Sequence, residues 1–121
     1  MAIKNLSKSK LLAYRQCPKR LWLEVHRPDL RADSSATQAS FSVGHQVGEI
    51  AQHIYDPDGK GAVLDPHTEG FEAAFARTQT LLQGQQPIFE ARFCAEGAPA
   101  LADVLLPAKK RAPQRWRMAA V

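Results

Sequence analysis

Apolar positions recur at helical spacing through the first two thirds of the chain and at strand spacing after that. Ser7 or Ser9 can cap a first helix running through Lys10, Leu11, Leu12, Ala13 and Tyr14. Pro18 interrupts it, but proline suits the first turn of a helix, so a second is predicted over 19–25 with Leu21, Trp22 and Val25 on one side. Residues 26–36, rich in Pro, Asp and Ser, read as a loop. The clearest helical period covers 37–55, where Val43, Val47, Ile50, Ala51 and Ile54 fall on one stripe. Gly44 and Gly48 lie beside that stripe and point to close packing or a local irregularity.

The run 56–61 (DPDGKG) is a strong turn signal. A short strand is predicted over 62–64, a loop over 65–70, and a helix carrying Phe71, Ala74, Phe75, Thr78, Leu81 and Leu82 that Gly84 ends. After Pro87 the period becomes two. Phe89, Ala91 and Phe93 alternate with Glu90, Arg92 and Cys94, as in a half-buried strand. A turn at 96–99, a strand over 101–106, a basic loop over 107–114 and the start of a third strand over 115–121 follow. The predicted class is α/β, with N-terminal helices followed by an antiparallel meander.

A length of 121 residues suits a single domain with one modest core. No apolar stretch is long enough to span a bilayer, and the N-terminus turns polar too soon for a signal peptide. Two cysteines, Cys17 and Cys94, make no disulfide framework and fit a reducing cytoplasm. The net charge of +4 is segregated. Residues 1–31 hold eight Lys/Arg against two acids, residues 107–121 hold five against none, and residues 32–106 hold three against ten. Basic ends around an acidic middle suit a polyanion-binding protein with a metal site; the plainer alternative is a solvated surface.

Two carboxylates in the meander are candidates for chemistry. Glu90 and Asp103 lie on strands joined by a tight turn, and the natural registers let them share a face. Asp103, inside Leu101-Ala102-Asp103-Val104-Leu105-Leu106, is the charge with most to lose by desolvation unless it is paired or metal-bound. The alternatives are an edge strand with Asp103 facing water, or a pair with Arg92. His45 and Glu49, four apart on a helix, could offer a nitrogen and an oxygen to one metal, or merely touch at the surface. No histidine or cysteine pair has zinc-finger spacing, and Cys17 alone supplies at most one ligand of an iron–sulfur cluster. Phosphate-cradling glycine motifs and nucleophile elbows are absent from the sequence.

Taken together, these segments resemble the RecB-like nucleases of the PD-(D/E)XK superfamily, which include CRISPR-associated exonucleases. Leu6-Ser7-Lys8-Ser9 and Tyr14-Arg15-Gln16-Cys17-Pro18-Lys19-Arg20-Leu21-Trp22 resemble their N-terminal helix and its CP-R segment. Phe41-Ser42-Val43-Gly44-His45-Gln46-Val47-Gly48-Glu49 resembles the first helical motif. Ile88-Phe89-Glu90-Ala91 and Ala102-Asp103-Val104-Leu105 resemble the hairpin with the second-motif aspartate. The resemblance implies a metal-dependent phosphodiesterase acting on DNA. In it Asp103 would ligate Mg²⁺ or Mn²⁺, Glu49 or His45 would contribute from the helix, and Glu90 would join Asp103 in the catalytic hairpin. Cys17 matches the first ligand of the four-cysteine cluster of some members. Lys19, Arg20, Lys109, Lys110 and Arg111 would meet the nucleic acid.

The departures are specific. Family chains carry a Glu-x-Lys on the strand after the second motif; here Ala120 stands where the glutamate is expected and no lysine follows. The expectation is therefore an incomplete restriction-endonuclease-like core, the N-terminal part of a nuclease domain that is inactive alone. Neither an iron–sulfur cluster nor a membrane partner is expected, and an unpaired strand edge could support self-association. Two rival readings are a non-catalytic nucleic-acid or partner-binding module on the same scaffold, and an unrelated small structural α+β domain.

Overall fold

Serine and proline set the first two helices. In the computed structural model, which describes residues 5–108 and 116–119, helix α1 spans Lys8–Gln16 and α2 spans Pro18–His26. Ser7 caps α1, its hydroxyl accepting from the Lys10 N–H at 3.3 Å. Cys17, extended, ends α1 and starts α2 with Pro18 at the first helical position, where its missing N–H costs nothing. A 3₁₀ turn (Pro28–Leu30) interrupts the predicted loop, and Ser34 caps α3 (Ser35–Tyr55) by accepting from the Thr37 N–H at 3.2 Å. Next come β1 (Ala62–Val63), the short α4 (Pro66–Glu69) in place of the predicted loop, and α5 (Phe71–Leu81). Strands β2 (Ile88–Ala95), β3 (Ala98–Pro107) and β4 (Trp116–Met118) complete the order.

The chain divides into two compact units. The first comprises Met1–Ser42 with Cys94–Ala100, and the second Val43–Phe93 with Leu101–Val121. In the first unit α1 packs against α2, and the Leu6 N–H donates to the Gly97 carbonyl at 3.0 Å. Gly97 and Glu96 form the hairpin turn. Both are left-handed (φ 78° and 51°), the backbone that two-residue hairpin turns require.

Four strands in the order β1-β2-β3-β4 form one sheet. β1 runs parallel to β2, with Ala62 beside Ile88 and Val63 beside Phe89, so the antiparallel meander is extended by a parallel strand. β4 runs antiparallel to β3 and covers it along Leu105–Pro107. Successive strand residues point to opposite faces, and the second unit accordingly has two cores. Ile88 and Leu105 join Leu64, Ala91 and Ala102, with Leu81 and Leu82 from the end of α5. Their neighbours Phe89 and Leu106 join Val104 and, from α3, Ala51 and Tyr55. Helices thus cover both faces of the sheet.

Three sequence expectations are corrected here. Of the α3 stripe only Ala51 is buried; Val43, Val47, Ile50 and Ile54 are exposed, Ile54 to 66 %. Side chains at Gly44 and Gly48 would meet nothing within 4 Å, so neither glycine serves close packing. Phe89 does not share a face with Ala91, because Glu90 between them is left-handed (φ 59°) and shifts the alternation by one residue. The Arg92 N–H then turns to the Thr78 hydroxyl on α5, 3.0 Å away. The predicted strand over 115–121 is seen at Trp116–Met118; Arg115, Ala120 and Val121 lie outside the described residues.

Candidate functional site

Within the second unit, β3 and α3 bring Asp103 and His45 into electrostatic reach of Glu90 on β2. Glu90 on β2 and Asp103 on β3 belong to neighbouring strands of the sheet. The kink places Glu90 half-buried, while Asp103 keeps water. Burial pushes the Glu90 carboxyl above its ordinary range, the Asp103 charge pushes it further, and Arg92 and His45 pull against both. The strained charge is therefore Glu90, and the exposure of Asp103 agrees with a carboxylate facing water. Among the described residues no ion pair joins Arg92 to either carboxylate, and the Arg92 Nε is buried without a hydrogen-bond partner.

His45 is exposed on α3, and its charge acts on Glu90. Glu49, one turn further, is exposed too, and its carbonyl accepts from His53 Nδ1 at 2.8 Å. Among the described residues no three of His, Cys, Asp and Glu converge closely enough to hold a metal ion, so the expected set of Asp103, Glu49 and His45 is not assembled as a cage. Hard oxygen donors remain in Glu90 and Asp103, and magnesium is often held by one or two carboxylates with water and substrate phosphate filling its sphere. The donor chemistry fits such a loosely held ion. It does not fit a closed site.

Comparison with family models, curated proteins and solved structures finds no match to this chain. The site's meaning rests on its own residues.

The expected nucleic-acid contacts divide. Lys19 and Arg20 are exposed on α2, while Lys109, Lys110 and Arg111 lie outside the described residues. Arg20 is engaged, its Nε donating to Glu24 at 2.9 Å and its Nη1 to Gln16. It lines a cleft of about 380 Å³ in the first unit with Arg27 and Arg31. Those two pair with Asp29 and Asp33, so every guanidinium of the cleft faces a carboxylate and the cleft is no simple anion site. Cys17 is exposed and Cys94 half-buried, and both are free thiols. No helix among the described residues is long and apolar enough to cross a membrane.

Sequence reasoning missed Thr78. It is fully buried, donates to the Ala74 carbonyl at 2.8 Å and accepts from the Arg92 N–H, so it fixes the strand beside Glu90. Its place in the α5 period marked it as inward-facing, but a threonine there reads as packing. Only the kink creates the N–H it must satisfy.

Proposed function

We propose that this chain carries part of a metal-dependent nuclease site, with Asp103 and Glu90 as the acidic pair and His45 beside them. The observation that carries the reading is their placement: a half-buried, kinked glutamate lies within electrostatic reach of an exposed aspartate on the next strand and of an α3 histidine. A Mg²⁺ or Mn²⁺ ion held by these carboxylates would polarise a phosphodiester and lower the pKa of bound water. Glu90, raised by burial, would hold or take up a proton at its carboxyl more readily than an ordinary glutamate. Asp103, exposed, would meet the ion first. Arg92 limits how far the Glu90 charge is disfavoured.

The resemblance to RecB-like nucleases supports the same reading, although the Glu-x-Lys pair that it implies is not found in these 121 residues. DNA is the proposed substrate class, a reducing cytoplasm the proposed setting, and the chain alone is expected not to cleave. Removing one preorganised group of this kind typically lowers a rate about 10²- to 10³-fold. A second reading, a non-catalytic module on the same scaffold, draws on the absence of three converging ligands among the described residues.

Mn²⁺ binding followed by electron paramagnetic resonance separates them. Weak binding lost in Asp103→Asn supports the nuclease site. Binding that is absent at millimolar Mn²⁺, or indifferent to that substitution, leaves the module. Metal-dependent cleavage of end-labelled DNA, abolished by Asp103→Ala, would show instead that the site is complete within this chain.

A further inference from the structure

We propose that the outward face of α2 is a stacking surface for single-stranded nucleic acid, with Trp22 as its platform and Lys19 as its phosphate contact. The proposal deepens the nucleic-acid reading given above, but it concerns the first unit and uses none of the acidic pair. The starting observation is the position of the tryptophan. Trp22 is 54 % exposed, although a ring of that size is ordinarily among the most covered of side chains. On α2 Leu21, Leu23, Glu24 and Val25 are half-covered, whereas Trp22 is exposed.

The exposed ring is held rather than loose. Its centroid lies 4.8 Å from that of His26, with the planes tilted by 35°. His26 is one turn on, and Lys19 is one turn back on the same helix face. The face therefore reads cation, indole, imidazole in that order, all three exposed. A base has a π-face and a phosphate a charge, and that pairing of aromatic and cation is what binds single strands regardless of sequence. Duplex DNA offers no free base face to an indole on a convex helix.

Charge complementarity commits the surface to a polyanion. The first unit holds eight Lys/Arg against four Asp/Glu, a net +4, whereas the second holds eight against eight and is neutral. The whole net charge of the chain thus belongs to the unit that displays Trp22. Among the described residues Arg20, Arg27 and Arg31 pair with carboxylates, and Lys19 is the lysine one turn from Trp22 on α2. Tyr14, 52 % exposed on α1, offers a second aromatic surface in the same unit.

The test is binding of an oligothymidylate to the full 121-residue chain, read by fluorescence anisotropy and by quenching of tryptophan emission. Replacement of a stacking residue by alanine should weaken binding by roughly five- to a hundred-fold. We expect that loss for Trp22→Ala, partial recovery in Trp22→Phe, and an unchanged dependence of affinity on salt in both. Lys19→Ala should instead lower the slope of log affinity against log salt by about 0.7. Far-ultraviolet circular dichroism verifies that each variant is folded, which the exposure of both side chains favours.

Equal affinity of wild type and Trp22→Ala for the oligonucleotide overturns the proposal. So does tighter binding to duplex than to single strand, or Trp22-dependent binding to anionic phosphatidylserine vesicles without binding to the oligonucleotide. The binding is measured in the presence of EDTA, so that it draws on no metal at the acidic pair. Failure of the Mn²⁺ experiment with Trp22-dependent binding intact would therefore sink the nuclease reading alone.

Discussion

Glu90 and Asp103 sit on neighbouring strands, and the charge of Asp103 adds to burial in raising the Glu90 carboxyl above its ordinary value of 4.5. A carboxyl raised in the folded state binds its proton more tightly there than in the unfolded chain. Its contribution to stability is therefore complete below the unfolded value and declines as pH climbs to the folded one. Glu90→Gln should remove this decline, so that variant gains on the wild type as pH rises from about 4. Asp103→Asn should have a smaller effect of the same sign, since it removes the second cause and leaves burial. Urea unfolding at a series of pH values checks both, and a wild-type midpoint that rises with pH faster than that of Glu90→Gln would contradict the assignment.

The kink itself can be tested apart from the charge. A left-handed backbone costs a residue with a Cβ about 1–2 kcal/mol, a cost glycine escapes and a β-branched side chain worsens. Glu90→Gly and Glu90→Val both delete the carboxylate. They should nevertheless differ, Gly being the more stable, by at least about 1 kcal/mol in denaturant unfolding. Equal stabilities would mean that the strand straightens once the glutamate is gone.

Much of the architecture was legible because it depends on local chemistry. Ser7, Pro18 and the period of residues 37–55 place the helices, and the switch to alternation after Pro87 places the hairpin. What escaped depends on contacts between distant segments. The α3 stripe predicts a helix correctly, but periodicity records only that apolar residues share a side, and here Val43 and Ile54 on that side stay exposed. Alternation predicts β2 but not the left-handed Glu90, because a glutamate carries no signal for that backbone. That one residue decides which carboxylate is desolvated. It also explains why the sequence placed the strain on Asp103 when the structure places it on Glu90.

Thr78 links α5 to the kinked strand, and its hydroxyl is the part that matters. Thr78→Val keeps the shape but leaves the Arg92 N–H facing a methyl group, in a position shielded from water. A buried donor left unsatisfied costs about 1–3 kcal/mol. The expected outcome is a loss of that size, together with selective loss of hydrogen-exchange protection at the Arg92 amide. Thr78→Ser, which retains the oxygen, should keep the amide protected. If both variants leave Arg92 protected, the strand has another acceptor there.

Gly61 tests how the turn before β1 supports the site. A Cβ at this position would lie 2.7 Å from Asp56 Oδ2, 2.9 Å from Phe89 Cε2 and 3.0 Å from the Pro87 carbonyl oxygen. None of the three can yield cheaply. The Asp56 carboxylate accepts the N–H groups of Lys60 and Gly61, Phe89 is fixed in the core, and the Pro87 carbonyl accepts the Ala62 N–H at 2.9 Å. Overpacking of this kind costs about 1–3 kcal/mol, so Gly61→Ala should be destabilised by that amount. Gly44→Ala is the control. Its new methyl meets nothing within 4 Å on a regular helix, and the gain expected is about 0.5–1 kcal/mol from helix propensity. The damage at Gly61 should also reach the acidic pair. β1 aligns Ala62 with Ile88 and Val63 with Phe89, the residue before Glu90, so displacing the turn disturbs the strand on which the kink depends. Carbon-13 nuclear magnetic resonance of the Glu90 carboxyl reads this directly: in Gly61→Ala its titration should move down towards the ordinary value, because a loosened strand admits water. An unchanged titration in a destabilised Gly61→Ala protein would show that the kink is held by the hairpin and Thr78 without help from β1.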